Sequence, residues 1–236
     1  MELIIDTTQQ DWLIICLAVL IILVTLSSVF IFKMFGLERW QVRKIGHMFV
    51  NTVAAFYPYL FTNFFDLIIS LIIAIVILLL LSAIPPIRFL QRIFTMCSRE
   101  ENFPWELFIN SVLMGITMVL ILWFFRLNLF VFTAAYLTVS LGDGLGEMIG
   151  RPFGRIKYRI FSNKSLEGSF AVFVGSFLGL IIALGTNAML GSASVWWKIS
   201  VVALIAMVIE AFSISFSDNI ALPTAVAVSL YLLFLI

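Results

Sequence analysis

Runs of apolar residues long enough to cross a bilayer dominate this chain. They can be drawn at about 12–32, 46–62, 66–84, 107–125, 128–141, 169–190, 195–216 and 220–236, and crossing roughly 30 Å of hydrocarbon takes about 20 such residues. In hydrocarbon every backbone N–H and C=O must bond within its own segment, so runs of this kind are read as helices. The sequence therefore predicts an all-α, polytopic transmembrane helix bundle of about eight spans, within seven to nine, the fifth and last being short. With 63% hydrophobic and 11% charged residues, an ordinary soluble domain is excluded.

The cations orient the bundle. Lys33, Arg39, Arg43, Lys44, Arg88, Arg92, Arg99, Arg151, Arg155, Lys157, Arg159 and Lys164 fall on one side of the predicted membrane, and only Arg126 and Lys198 on the other. The positive-inside rule then puts the N-terminus outside and the loops after spans one, three, five and seven in the cytoplasm. A net charge of +1 argues against nucleic acid as a partner. Cys16 and Cys97 lie in different environments and suggest neither a disulfide framework nor a zinc site. The opening MELIIDTTQQDW lacks the basic start of a signal peptide and is expected to stay on the mature protein. No internal repeat or low-complexity tract divides the chain, so residues 1–236 read as a single integral-membrane domain.

Between the fifth and sixth runs stands GDGLGEMIGRPFGRIKYRIFSNKSLEGS, residues 142–169, expected as a cytoplasmic loop. It carries acids at Asp143, Glu147 and Glu167 and five cations from Arg151 to Lys164. Glycines stand at Gly142, Gly144, Gly146, Gly150, Gly154 and Gly168. This is the inventory that holds a metal-complexed polyphosphate: glycines admit phosphate oxygens to the backbone, cations neutralise them, and a carboxylate holds the bridging Mg²⁺. Asp143 and Glu147 are four apart and share a helix face. The competing reading makes Gly142, Gly146 and Gly150 a helix-packing stripe, with Glu147 paired to Arg151 at i,i+4. Lys164-Ser165 is not a Walker A motif, because the glycines that should precede the lysine are missing.

Two further constellations lie elsewhere. Span seven carries Glu210 in an apolar run, with Ser213, Ser217 and Asp218 at +3, +7 and +8, offsets of one helical face; an acid inside a span is a functional candidate by default. Asp218-Asn219 with Pro223 also reads as an ordinary interfacial turn. Near the start of span two, Arg43 and Lys44 precede His47, and Lys44, His47 and Asn51 follow a 3-4 spacing. His47 is either structural or suited to accept a proton or bond a phosphate oxygen.

At these residues the sequence resembles the CTP-dependent lipid kinases that include dolichol kinase, phytol kinase and the CTP-dependent diacylglycerol kinase. The matching pieces are RKIGH, GDGLGEMIGRPFGR, NKSLEGS, and Glu210 followed by SDNIALP, in the family's order from Arg43 to Pro223. The resemblance implies a multi-pass membrane enzyme that moves the γ-phosphate of CTP onto the hydroxyl of a membrane lipid, with Mg²⁺. Carried over, Asp143, Lys164, Glu167, Gly168 and Ser169 fall in its nucleotide-binding region, and Glu210, Asp218 and Asn219 in its closing motif. The catalytic set expected on this reading is Asp143, Lys164, Glu210, Asp218 and His47. Metal binding is expected from Asp143, Glu147, Glu210 and Asp218. Nucleotide binding is expected from Gly142, Gly144, Gly150, Arg151, Gly154, Arg155, Lys157, Lys164, Ser165, Glu167, Gly168, Ser169 and Asn219, with Arg43 and Lys44. The expected partners are a lipid alcohol, a nucleoside triphosphate and the bilayer; a homodimer stays open. The chain lacks the extra N-terminal spans of the larger dolichol kinases, which leaves a shorter isoprenol or a diacylglycerol as acceptor.

Two other functions fit parts of the pattern. A CTP:phosphatidate cytidylyltransferase would share a GD start, an FG pair and a K-[ST]-x-E-G element, and would release pyrophosphate where the kinase releases CDP. A transporter or membrane assembly subunit would use Glu210 and Asp143 in an ion or substrate path, and would spread polar residues over both faces. The crowding of polar residues toward one face argues against the transporter, and KSLEGS with the terminal SDN and Pro223 favours the kinase over the cytidylyltransferase.

Overall fold

A computed structural model describes residues 36–61, 63–83, 105–213 and 218–236, together with Trp12, Cys16 and Val19. Most of the first expected span and the segment 84–104 lie outside the described residues. The rest is mostly helical: α1 Arg39–Phe56, a 3-10 turn Tyr57–Leu60, α2 Phe64–Ala83, α3 Trp105–Phe124, α4 Leu129–Leu137, a π-helical turn Thr138–Asp143, α5 Gly144–Phe153, α6 Leu166–Thr186, α7 Ala193–Phe212 and α8 Asp218–Phe234. Among the described residues, three helical segments are long and apolar enough to cross a membrane: Leu129–Phe153, Leu166–Thr186 and Ala193–Phe212. Shorter apolar helices occupy Phe64–Ile73, Val112–Phe124 and Asn219–Phe234.

The described chain falls into two compact units. One comprises Met1–Gly46 and Phe56–Gly115, the other His47–Ala55 and Ile116–Ile236. In the first, Val42, Tyr57, Leu67 and Leu71 are buried, as are Lys44, Asp66 and Ser70, and the Ser70 hydroxyl donates to the Leu67 carbonyl at 2.7 Å. The second holds the candidate site. Its centre is α6, which packs against α4, the π turn, α5 and α7, while α8 packs on α4 and α7. The fully buried Leu180, Leu184, Ile199, Val202, Ala203, Ala206, Val226 and Leu230 form this core.

Two features differ from the expected all-α outline. Residues 142–153, expected as the start of a loop, continue the helix that begins at Leu129, through the π turn into α5. Four glycines in nine positions lower intrinsic helix propensity, but packing against α6 overrides it. The second difference is a two-stranded antiparallel hairpin, β1 Lys157–Arg159 and β2 Asn163–Ser165, with Lys157 opposite Ser165, Tyr158 opposite Lys164 and Arg159 opposite Asn163. It is too short to stand alone and is held by its neighbours.

The helix pair flanking the hairpin is closed backbone to backbone. A Cβ placed on Gly150 would lie 3.1 Å from the Gly168 Cα, and one on Gly168 would lie 3.0 Å from the Gly150 Cα. Further along, Gly175 and Gly179 receive the backbone of Leu141 and Leu137. Small residues at these crossings let two helices approach without a side chain between them, the small-xxx-small geometry weighed from the sequence.

Candidate functional site

Three elements meet at the end of the bundle where α5, α6 and α7 have their hairpin-side termini. The hairpin is the piece that joins them. At its base the Leu166 N–H donates to the Ile156 carbonyl at 3.0 Å, and Ser165 caps α6, its hydroxyl accepting the Gly168 N–H at 3.1 Å. Such a cap satisfies one of the unpaired N–H groups that open a helix. The Glu167 carboxylate accepts the Ile156 N–H at 3.2 Å, and the Tyr158 hydroxyl meets the Ser169 hydroxyl at 2.5 Å. Ser165, Glu167 and Ser169 thus anchor the hairpin to α6. That anchoring is a structural task, added to the nucleotide role expected of them.

On its other side the hairpin is docked on the end of α7. Lys164 forms an ion pair with Glu210, the Ser162 hydroxyl donates to the Ser213 carbonyl at 3.5 Å, and the rings of Phe161 and Phe212 lie 6.4 Å apart. Glu210 is buried, and Lys164 is half-buried. The structure therefore unites the NKSLEGS and Glu210 motifs, which are 46 residues apart at their charged ends.

Asp143 ends the π turn. This turn packs against α6, α7 and α8, which places the acid's backbone among the helices carrying the other expected residues. His47 lies close by, its Nδ1 3.8 Å from Asp143 Oδ2. Both side chains are largely but not wholly covered. The helix bearing His47 is tied to the π turn by hydroxyls. Ser140 Oγ donates to the Met48 carbonyl at 2.6 Å, Thr52 Oγ1 donates to the same carbonyl at 2.9 Å, and the two hydroxyl oxygens are 2.8 Å apart. Gly144 completes the contact, because a Cβ there would overlap the Met48 side chain. Ser140 and Thr52 were not anticipated. The available signal was a polar residue, Ser140, inside an apolar run three positions before Asp143.

The remaining expected residues divide as follows. Glu147 is bound by Arg151 at 3.0 Å, the i,i+4 pairing its spacing allows. Arg155 and Lys157 are exposed on the hairpin side. Gly142, Gly144, Gly150, Gly154 and Gly168 are taken up by close packing, with Gly154 set against Ser165. Arg43 and Lys44 precede His47 on α1 but belong to the first unit. Asn219 is the second residue of α8, and the Asp218 side chain and residues 214–217 lie outside the described residues.

The helix expected to carry Glu210, Ser213, Ser217 and Asp218 on one face stops short of the last two, and Ser217 lies outside the described residues. Helix α7 ends at Phe212, Ser213 is extended, and Asp218 is the first residue of α8. The cause is local: the Ser213 N–H and hydroxyl both return to the Glu210 carbonyl, at 3.2 and 2.9 Å, and close the helix there.

This chain is 36% identical over 103 residues to a protein named probable phytol kinase 1, chloroplastic, of Oryza sativa subsp. japonica, covering 41% of this chain and 33% of that one. Phytol kinase 1, chloroplastic, of Arabidopsis thaliana is 32% identical over 100 residues, with 39% and 33% covered. The phytol kinase of Synechocystis is 32% identical over 103 residues, with 42% and 43% covered. The matches thus span well under half the length of these relatives. They support the resemblance to the polyprenol and phytol kinase family that the motifs carry. No family model and no solved structure matches the chain.

Proposed function

We propose that this chain is a membrane-embedded kinase that transfers the γ-phosphate of CTP to the hydroxyl of a lipid alcohol, in the range of phytol, polyprenol, dolichol or diacylglycerol. The observation that carries the reading is the meeting of Lys164 and Glu210 at one end of the bundle, in a chain similar to phytol kinases. Phosphoryl transfer needs chiefly positioning and charge neutralisation, and these are what the site residues can supply. Lys164, with Arg151 or Arg155, would clamp the phosphates. The Lys164–Glu210 pair keeps both charges compensated before nucleotide arrives, and a polyphosphate competes for the ammonium as a more highly charged partner.

Among the described residues no three His, Cys, Asp or Glu side chains converge, as an all-protein metal cage would require. A Mg²⁺ carried in with a nucleotide needs only one or two carboxylates, its other ligands being phosphate oxygens and water. Asp143, partly open beside His47, fits that requirement, with Glu210 or Asp218 as the second acid and Glu147 the next in line. When bound, the ion supplies charge neutralisation at the transferring phosphoryl group. His47 would take the acceptor's proton or bond a phosphate oxygen. The grouping of cations on one side supports a cytoplasmic site.

Purified protein incubated with γ-labelled CTP or ATP and a panel of phytol, geranylgeraniol, dolichol and diacylglycerol tests the proposal. Label entering a lipid, with nucleoside diphosphate released, is the expected result. Pyrophosphate release with a nucleotidyl lipid would overturn it in favour of the cytidylyltransferase.

A further inference from the structure

The stretch from Arg151 to Ser165 holds five cations and no acid, and it also exposes large apolar side chains. Phe153 is 67% exposed, Ile156 60% and Phe161 61%, with Ile160 exposed beside it. Together these side chains form an apolar rim that water would penalise.

The surroundings say what covers that rim. The hairpin joins two segments long and apolar enough to be membrane spans, Leu129–Phe153 and Leu166–Thr186, so it begins where one leaves the bilayer and ends where the next enters. A third such segment, Ala193–Phe212, ends against the hairpin through the Phe161–Phe212 ring contact and the Lys164–Glu210 pair. Three span termini therefore set the tip at the membrane boundary. Within β1 the faces alternate: Tyr158, half-buried, turns to Ser169, while Lys157 and Arg159 are exposed. Lys164, opposite Tyr158, shares the inward face. Lys157, expected from sequence at the nucleotide, thus lies on the same outward edge as Arg159.

We infer that the hairpin tip, Arg159, Ile160 and Phe161, is a docking surface for anionic phospholipid at the bilayer boundary. Ile160 and Phe161 enter the acyl boundary, and Arg159 with Lys157 meets headgroup phosphates. Positive charge on the outward edge and apolar side chains at the tip are the two elements that such a surface requires. The lipid contact holds the tip on α7 and so keeps Lys164 beside Glu210. It is independent of the reaction proposed above, because it needs neither nucleotide nor acceptor.

The test uses the full chain, with Cys16→Ser and Cys97→Ser, carrying a polarity-sensitive fluorophore at Phe161→Cys and, separately, at Ile160→Cys. The second site guards against loss of the Phe161–Phe212 contact. Each protein is placed in nanodiscs of phosphatidylcholine alone or of phosphatidylcholine mixed with phosphatidylglycerol, and quenching by aqueous iodide is measured. The tip should be shielded in the mixed membrane and open in the neutral one. High salt should weaken the shielding, and Arg159→Gln should shift the insertion equilibrium by about fivefold toward water. Iodide access that is equal in both membranes, whether full or blocked, would overturn the inference. So would shielding reproduced in neutral nanodiscs by inorganic phosphate.

Discussion

Lys164 of the hairpin and Glu210 of α7 are an ion pair between two elements separated by α6, a helix long and apolar enough to cross a membrane. Removing one partner leaves the other's charge poorly compensated in a half-buried place. Lys164→Met and Glu210→Gln should each cost about 1–3 kcal/mol of stability. A double-mutant cycle followed by thermal unfolding in detergent should return a coupling of about 1 kcal/mol or more, and strictly additive losses would show the pair to be energetically idle. Both variants should also lower phosphoryl transfer, the lysine variant chiefly through nucleotide binding.

Asp143→Asn keeps the volume of the side chain and removes its charge. Transfer of label to lipid should be abolished while expression and membrane insertion persist, measured by radiolabel assay and membrane fractionation. Full activity would remove Asp143 from the proposed metal site.

The backbone closure of α5 on α6 makes a separate prediction. Gly150→Ala and Gly168→Ala each place a methyl at about 3 Å from the opposite Cα, where backbone must move, and overpacking of this kind costs about 1–3 kcal/mol. Gly191→Ala is the control, since a Cβ there meets nothing within 4 Å. Melting temperatures should fall for the first two and stay level for the third.

The hydroxyls of Ser140 and Thr52 converge on the Met48 carbonyl. Ser140→Ala should cost about 1 kcal/mol, because Thr52 still satisfies that carbonyl. Ser140→Val should cost more by adding bulk. If the brace sets the Asp143–His47 approach, Ser140→Ala lowers kcat with little change in the KM for nucleotide, and Ser140→Thr restores part of it.

What the sequence made legible was whatever repeats locally. Apolar run length located α2, α3, α4, α6, α7 and α8, and i,i+4 spacing gave the Glu147–Arg151 pair. Non-local contacts were not legible: nothing in NKSLEGS says that its lysine lies against Glu210. The glycines of 142–154 were ambiguous because low helix propensity and close helix packing call for the same residue. Only the presence of α6 alongside distinguishes them. The end of α7 at Phe212 was hidden for a similar reason. The spacing of Glu210, Ser213, Ser217 and Asp218 suits a helix face, yet Ser213 closes the helix through its own hydroxyl.

The π turn at Thr138–Asp143 makes the chain sensitive to counting as well as to chemistry. A turn of this kind holds one residue more than an α-helical turn, so losing one residue there would let the helix relax to ordinary pitch with α5 still in phase. Within α5 there is no such slack: a residue lost between Gly144 and Gly150 would rotate everything after it by about 100° about the axis. Gly150 would swing off α6, and Arg151 would be carried round with it. Across α5 a gap of one codon is thus a graver lesion than most replacements, and natural length variation should be found in the π turn and the hairpin.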